Sequence, residues 1–398
     1  MSELDRFRDD VRAWIAANYP PSLREPLRVD SPDTPWGGRK TRYLNPDVQV
    51  WMDRMAAKGW STPEWQPEHG GAGLTPERAR VLREVLAAAG CRPPVISFGL
   101  MMLAPVLHEF ASEEQRRHFL PPIARGEIRW CQGYSEPGAG SDLAGLKTRA
   151  EDLGDHFLVN GQKIWTSYAD QADWIFCLVR TNTESKHGGI SFLLIDMTSP
   201  GIEVRPIQLI SGKSPFCEVF LTDVRVPKQN LVGKPGEGWK IAKRLLQHER
   251  ANISTHLQTG LGGSPTGRTL AELARSYAGE RDGRIADAHL RDAVARHEIR
   301  SEAIALTLRR VQEESGKQGP SALSSITKSL GAQHNKDKHE LMVEILGLAG
   351  LGWDGAPFTD EEVEVCRQWL RSKGNSIEGG TSEIQTNIVA KQVLGLPD

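Results

Sequence analysis

Apolar residues recur three and four positions apart over residues 1–127, which is the spacing of amphipathic helices. Four runs of residues in this region have this period, and two of them begin with residues that are typical of a helix N-terminus. Thr75 precedes a proline and a glutamate, and Ser112 precedes two glutamates. A hydroxyl at the cap and acids in the first turn both stabilise a helix N-terminus. We therefore predict an N-terminal α-helical domain over residues 1–127.

The pattern changes to short β-like runs bounded by Gly, Pro and Asn over residues 128–235. The dipeptide Asn160-Gly161 separates two of these runs and is the strongest two-residue signal for a hairpin turn. The connections between runs are too short for crossover helices, which favours antiparallel pairing. The sequence predicts a middle domain built as an antiparallel β-sheet or barrel.

The helical period returns in longer units over residues 236–398, and long helices with short connections favour an antiparallel bundle. No internal repeat and no low-complexity linker interrupts the chain. We expect the three domains to pack against one another. The predicted fold class is α+β multidomain: an N-terminal helical domain, a middle antiparallel β domain and a C-terminal helical bundle.

Composition narrows the possible functions of the 398-residue chain. Forty-nine basic against 51 acidic residues give a net charge of −2, which argues against binding to nucleic acid or an anionic membrane surface. No apolar stretch approaches the ~18 residues of a spanning helix, so we expect no membrane insertion. The five cysteines are scattered without a C-x-x-C pair, and no H-E-x-x-H occurs, so neither a disulfide frame nor a metal site is expected. The acidic start MSELDRFRDD differs from a targeting peptide, which predicts a cytoplasmic protein.

Two segments of the β domain carry candidate chemistry. Residues 134–142, YSEPGAGSD, form a turn dense in glycines and hydroxyls, where backbone amides can approach a ligand closely. Some twenty residues later a strand ends in Trp165, Thr166 and Ser167. Strand alternation places Trp165 and Ser167 on one face and Thr166 on the other.

These segments resemble the hallmark sequences of the acyl-CoA dehydrogenase family, which read here as SEPGAGSD, NGQKIW and GGTSEIQTNIVAKQVLG. Their order, their spacing and the helix, sheet, helix organisation resemble the family over nearly the entire chain. The resemblance implies an enzyme that uses FAD to dehydrogenate an acyl-CoA thioester to the trans-2-enoyl-CoA. It also implies a tetrameric protein, either a homotetramer or a heterotetramer with a related subunit, with an electron-transfer flavoprotein as acceptor.

The resemblance assigns FAD contacts to the β domain. Trp165 would stack on the isoalloxazine, and Ser167 would donate a hydrogen bond near its N5 atom. Tyr134 and Ser135 would contact the pyrimidine end of the ring. Ser141, in the same loop, would contact the cofactor or the CoA substrate.

Further FAD contacts are implied for the C-terminal domain. Thr381 and Glu383 match positions near the start of the last helix, although the family more often has Gln at the second. Gly347 lies in EILGLAG, which resembles the adenine-side loop, with Glu344 and Leu348 as departures. The family's arginine segment for the diphosphate is not found in this sequence.

The base that removes the α-proton has two candidates. Many family members place a Glu immediately before the Gly-Thr of the C-terminal motif, where this chain has Gly379, a position near the substrate. Other members place the base in a Glu-Arg dipeptide on the first long helix of the bundle, which corresponds here to Glu249 and Arg250. The resemblance thus implies Glu249 as base and Arg250 near the thioester, with Glu378 as the alternative base. In the remaining interpretation, Glu249 and Arg250 are an ordinary charged pair on a solvated face of the helix.

Members with the base on that helix include enzymes for branched, ring-bearing or steroid side-chain acyl groups. Gly379 and Gly380 leave side-chain volume free beside the thioester. The sequence therefore predicts a bulky acyl group. Two other functions stay open: a flavin oxidase or monooxygenase on the same fold, and a non-catalytic partner subunit.

Overall fold

The structure is a computed structural model that describes residues 2–25, 27, 31–258, 266–318 and 324–397. The chain forms two compact units. Unit 1 comprises Met1–Ile207 and Pro215–His248, and unit 2 comprises Gln208–Ser214 and Glu249–Asp398. In the order of elements, helices precede a β-sheet and further helices follow it, as the hydrophobic pattern predicts. The domain boundaries at residues 127 and 235 stay a prediction.

Unit 1 begins with five helices, and a sixth continues into unit 2: α1 (Glu3–Asn18), α2 (Asp47–Ala57), α3 (Pro76–Ala88), α4 (Ala104–Phe110), α5 (Glu113–Ala124) and α6 (Gly238–Gln258). Both predicted caps are confirmed. The Thr75 hydroxyl accepts from the amide of Arg78 at 3.4 Å, and the Ser112 hydroxyl accepts from that of Gln115 at 3.2 Å. The short helix α4 is not predicted, since seven residues are too few for a clear period.

The sheet of unit 1 has eight strands: β1 (Trp130–Gly133), β2 (Arg149–Asp152), β3 (His156–Ser167), β4 (Trp174–Arg180), β5 (Ile190–Asp196), β6 (Ile202–Ile207), β7 (Phe216–Pro227) and β8 (Leu231–Val232). Their order is β6-β7-β3-β2-β4-β5-β8, with β1 also paired to β4. Five of these pairings are antiparallel as predicted, while β1 and β2 run parallel to β4.

The predicted hairpin turn at Asn160-Gly161 is wrong. Strand β3 runs through both residues, and its pairing with β7 shifts register between Val159 and Gly161. The Asn160 side chain donates to the Asp223 carboxylate at 3.0 Å, and a β-carbon on Gly161 would lie 2.7 Å from the Cα of Thr148. The dipeptide therefore marks a bulge where two backbones approach closely.

Both faces of the sheet are buried, as strand β4 illustrates. Phe176 and Leu178 pack with α4, α5 and the first half of α6. Ile175, Cys177 and Val179 point into a second cluster on the other face. Each large apolar side chain buried here contributes about 1.5–3 kcal/mol to stability. The first helices build their own core around Trp51, within the same unit.

Within the described residues, unit 2 contains five helices and a two-stranded ribbon, together with the continuation of α6. In chain order they are α7 (Leu270–Ala278), β9 (Glu280–Arg281), β10 (Arg284–Ile285), α8 (Ala288–Gln318), α9 (Ser324–Leu346), α10 (Asp360–Ser372) and α11 (Ser382–Ile388). The predicted helices α8 to α11 are confirmed, whereas α7 and the ribbon are not predicted. Leu273, Met342 and Val365 bring α7, α9 and α10 into one apolar core.

Helices α8 and α9 meet at a pair of stacked imidazoles. The rings of His297 and His334 lie 4.1 Å apart at an interplanar angle of 8°. Burial, and after it the charges of His334, Lys338 and Arg300, lower the pKa of His297 to about 4 against the opposite influence of Asp337. The folded protein therefore favours the neutral ring.

This pair predicts a loss of stability in mild acid. A histidine whose folded pKa is depressed stabilises fully above its unfolded pKa of about 6.5, and this stability is lost as the pH falls towards 4. Between pH 7 and pH 5 we expect unit 2 to lose about 1–2 kcal/mol, and His297→Phe, which keeps a stacking ring, to lose less. Urea unfolding at both pH values measures this. An equal loss in the variant would contradict the prediction.

All five cysteines are free, and four of them are buried, in agreement with reduced thiols. Among the helices within the described ranges, none combines the length and the apolar character that crossing a bilayer requires.

Candidate functional site

The end of strand β3 carries a strained and exposed tryptophan. The pairing of β3 with β7 shifts register a second time. Ile164 and Trp165 on β3 lie opposite the single residue Glu218 on β7. Trp165 has a left-handed backbone with φ of +60°, which costs a bulky residue about 1–3 kcal/mol. Its indole is 53% exposed, while the neighbouring Thr166 is fully buried, as the predicted alternation requires. Strain and aromatic exposure together mark a position shaped for a ligand.

Among the described residues of unit 1, Phe216 is the aromatic residue that supports the indole. The ring of Phe216 meets the Trp165 indole edge-on, at 6.2 Å between centroids and 83° between planes. Ser167 faces Phe216 across the strands and is half-buried. An indole held at its edge presents a flat face, and the hydroxyl two residues later lies on the same side of the strand.

The glycine-rich loop is joined to strand β3 by a buried ion pair that sequence reasoning missed. Lys163 Nζ lies 2.8 Å from Glu136 Oε1, with the two side chains 0% and 8% exposed. Lys163 also donates to the Tyr134 carbonyl at 3.3 Å. The signal was present, since both residues lie inside the two motif segments, yet a lone lysine in a strand reads as solvent-facing.

Backbone amides complete the environment of Glu136. The amides of Lys147 and Thr148 donate to its carboxylate at 2.6 and 2.9 Å. Burial alone would raise the pKa of Glu136, but the Lys163 charge and these hydrogen bonds outweigh it and leave the pKa below its usual value. Glu136 is therefore ionised at neutral pH, and its carboxylate holds the glycine-rich loop in place through these contacts.

The predicted loop residues occupy different environments. The Tyr134 ring is buried against Phe176 and Phe192, and its carbonyl accepts from Lys163. The Ser135 carbonyl accepts from the amide of Ile164 at 2.9 Å, which brings Ser135 beside the Trp165 bulge. Ser141 lies in the exposed part of the loop. The structure thus brings Tyr134, Ser135, Trp165 and Ser167 together and leaves Ser141 at the rim.

In unit 2 the C-terminal motif forms a glycine turn that leads into α11. Gly379 and Gly380 have left-handed φ of +61° and +94°. Thr381 is the N-cap of α11, and its hydroxyl accepts from the amide of Ile384 at 3.3 Å. Glu383 is exposed in the first turn, where hydrogen bonds from its own amide and from Thr381 lower its pKa. The turn therefore ends in a helix N-terminus that carries a negative charge.

The alternative base Glu378 is already engaged. One carboxylate oxygen lies 2.7 Å from Arg371 Nη2, and the other accepts from the Asn375 amide. Both contacts lie within residues 371–378, so the carboxylate closes a local loop. A base at Glu378 would therefore have to give up at least one of these two contacts before it could reach a substrate.

Gly347 lies far from the glycine turn along the same helix. It follows the C-terminal end of α9 with φ of +57°. Lys328, near the N-terminal end of α9, donates to the Gly380 carbonyl at 2.7 Å. At a rise of 1.5 Å per residue, Lys328 and Leu346 at the end of α9 are about 27 Å apart along the helix. The structure therefore does not bring Gly347 and Thr381 together within one chain.

Glu249 and Arg250 belong to helix α6, but the structure does not describe their side chains.

Among the described residues, Glu68, His69 and Glu113 are the group whose potential metal-ligand atoms lie within 4.8 Å of one another. Arg116 and Arg117 already pair with Glu113 at 3.0 and 2.9 Å. These cations disfavour a bound metal ion there.

Three family models match the chain in order. They are described as acyl-CoA dehydrogenase, N-terminal domain over residues 1–127, middle domain over 131–224 and C-terminal domain over 236–394. The helical, β and helical domains of the predicted fold class are thereby confirmed.

Individual relatives match over their full length. The chain is 36% identical to acyl-CoA dehydrogenase IpdE1 of Mycobacterium tuberculosis, over 100% of this chain and 99% of the relative. The solved Tcur3481-Tcur3483 steroid ACAD is 28% identical with a TM-score of 0.74, over 99% of this chain and 97% of that one. The ChsE4-ChsE5 complex from Mycobacterium tuberculosis is 29% identical with a TM-score of 0.71, over 100% and 98%.

Proposed function

Since this chain belongs to the acyl-CoA dehydrogenase family, we propose that it converts a bulky acyl-CoA thioester to the trans-2-enoyl-CoA. In this reaction the carboxylate of Glu249 takes the proton from the α-carbon, and the electron pair of that C–H bond forms the new double bond. FAD, when bound, accepts the hydride that leaves the β-carbon. The base and the acceptor must lie on opposite sides of the substrate for the two bonds to break in line.

The observation that carries this proposal is the exposed Trp165 on its left-handed bulge. A planar indole that the fold holds at a cost of about 1–3 kcal/mol suits stacking against a flat ring system. The half-buried hydroxyl of Ser167 would donate to the isoalloxazine, and the Ser135 main chain would meet its pyrimidine end. The residues of unit 1 thus fit FAD as the cofactor.

The glycine turn supports Glu249 over Glu378 as the base. An L-residue at position 379 would be strained, because φ there is +61°, so this turn suits glycine and not a catalytic side chain. Glu378 is engaged by Arg371 and Asn375. Glu249 is the acid left at a position that the family resemblance identifies, with Arg250 beside the thioester.

The same turn supports a bulky acyl group. Gly379 and Gly380 present no side chain toward the substrate, which leaves volume for a branched or ring-bearing chain. The relative described as a steroid ACAD shares the fold along almost the whole chain. We propose a branched, cyclic or steroid side-chain acyl-CoA as the substrate class.

Oligomerisation and electron transfer complete the proposal. Lys328, which contacts the Gly380 carbonyl, and Leu346, which precedes Gly347, are about 27 Å apart along α9, so Gly347 would serve the FAD of a second copy or of a related subunit. This supports a homotetramer or a heterotetramer. An electron-transfer flavoprotein would reoxidise the enzyme, and the buried free cysteines suit a reducing cytoplasm.

Anaerobic titration of the purified protein with a panel of acyl-CoA thioesters tests the proposal. Loss of the oxidised flavin spectrum with branched or ring-bearing thioesters, and slow loss with short straight chains, is the expected result. A spectrum that no thioester bleaches would refute dehydrogenation. Rapid reoxidation by air would instead favour an oxidase, and a colourless protein that takes up no FAD would favour a partner subunit.

Replacing Glu383 by glutamine should strengthen FAD binding. The carboxylate stands in the first turn of α11, where it opposes the attraction of a helix N-terminus for a phosphate. Removing this exposed charge should lower the Kd for FAD about two- to fivefold. Fluorescence titration of the apoprotein measures this. Glu383→Asp keeps the charge and serves as control; equal Kd values for both variants would contradict the prediction.

A further inference from the structure

Two buried side chains hold the two carbonyls of the glycine turn. Lys328 Nζ donates to the Gly380 carbonyl at 2.7 Å, and Gln385 Nε2 donates to the Gly379 carbonyl at 3.1 Å. Lys328 is 6% exposed and Gln385 is 2% exposed. They come from different helices, α9 and α11. Each peptide of the turn is therefore fixed from a separate element of unit 2.

The turn needs this support because of its composition. Glycine has more conformational freedom than any other residue, and two in succession allow a turn to adopt many backbone states. Both residues lie in the left-handed region, and a β-carbon on Gly380 would lie 2.5 Å from Gln385 Nε2. The absence of side chains thus allows the close contact, and the contact in turn selects one conformation.

The ammonium group of Lys328 loses most of its contact with water when it is buried beside the Gly380 carbonyl. Burial lowers the pKa of Lys328, while the charges of Glu378 and Glu383 act in the opposite direction. A buried cation is retained in a fold only where it makes strong hydrogen bonds. A charge-assisted bond to a carbonyl is about twice as strong as a neutral one, so the Gly380 peptide is firmly oriented.

We propose that Lys328 and Gln385 are positioning residues, which hold the Gly379–Gly380 peptides so that the turn meets the thioester of the substrate in a fixed orientation. The inference rests on the proposed function, in which Gly379 contacts the substrate. Both side chains act through the turn and touch no reacting atom. A misplacement of about 1 Å at this point lowers the rate by up to about a hundredfold.

Lys328→Met and Gln385→Glu test the proposal, since the first removes the donor and the second replaces it with an acceptor. In the FAD-loaded protein we expect the limiting rate of anaerobic flavin reduction to fall about tenfold to a hundredfold. The Kd for free CoA, which lacks the thioester, should stay unchanged. Lys328→Arg keeps a cationic donor and should recover most of the rate.

Lys336→Met is the matched control. Lys336 lies on the same helix and donates to the Ser376 hydroxyl at 2.7 Å, away from the glycine carbonyls. The flavin of the Lys336→Met variant should be reduced as fast as that of the unaltered protein. Variants of Lys328 and Gln385 that match this control would overturn the inference, as would a joint loss of FAD and thermal stability at unchanged reduction rate. If no thioester bleaches the unaltered protein, the proposed function itself fails, which is a distinguishable result.

Discussion

Glu249→Gln should retain FAD and abolish flavin reduction by acyl-CoA. Glutamine has nearly the same shape as glutamate but cannot accept a proton at neutral pH. Positioned general bases contribute about a hundredfold to ten-thousandfold to a rate, so reduction should slow by at least the lower figure. Stopped-flow spectroscopy under anaerobic conditions measures the rate. The absorbance of bound FAD in the resting variant shows that the cofactor site is intact.

Glu378→Gln is the matched control for this prediction. Its carboxylate lies between Arg371 and Asn375, and glutamine keeps an oxygen that accepts from one of these donors, so the loop before Gly379 should hold and the reduction rate should stay within about threefold. An active Glu249→Gln together with an inactive Glu378→Gln would identify Glu378 as the base. In that case the arginine contact would have to open when the substrate binds.

The two candidate bases also differ in what the acyl-CoA panel should reveal. A base carried by α6 leaves the side-chain volume at Gly379 and Gly380 free, whereas a base at Glu378 would have to turn into that volume. Preference for a bulky acyl group and loss of activity in Glu249→Gln therefore support each other. A strict preference for short straight chains would weaken both.

Elements with a long and regular period could be predicted from the sequence, and short ones could not. Helices α1 and α8 repeat their apolar positions over several turns, so burial of one face determines them. Helix α4 has seven residues and α7 has nine, so each spans only about two turns. Helix α7 nevertheless begins at a capping box of Thr269 and Glu272, a signal in the sequence that was missed.

The wrong prediction of a hairpin turn at Asn160-Gly161 shows where prediction from a short stretch of sequence fails. Asn160-Gly161 has the composition of a tight turn, but its partner strand β7 begins more than fifty residues later. Pairing with Asp223 and close approach to Thr148 outweigh the turn preference. Such long-range partners are invisible to a window of a few residues.

The candidate site divides in the same way. The motif resemblance identified Trp165 and Ser167, and strand alternation predicted the face of each. The left-handed backbone of Trp165 could not be predicted, because it arises from a bulge against β7. Nor could the pairing of Glu136 with Lys163, because the distance between two motif segments depends on the folded sheet.

The Glu136–Lys163 pair carries the largest expected effect on stability. Removing one partner of a buried pair leaves an uncompensated charge, which costs about 3–5 kcal/mol. Lys163→Met and Glu136→Gln should each lower the free energy of unfolding of unit 1 by about this amount. The double variant removes both charges and should be less destabilised than the sum of the single changes. Urea unfolding followed by tryptophan fluorescence measures all four proteins.

The exposed pair Glu203–Arg205, with side chains 59% and 58% exposed, is the control for this double-mutant cycle, and its coupling should be far smaller than that of the buried pair. Acid supplies a second check. Because the folded pKa of Glu136 is depressed, its contribution is present above the unfolded pKa of about 4.5 and is lost as the pH falls through the lower folded value. Lys163→Met should lose less stability over that range. A coupling as small as that of the control would mean that the pair does not join the loop to β3, and the orientation of Ser135 beside Trp165 would then need another cause.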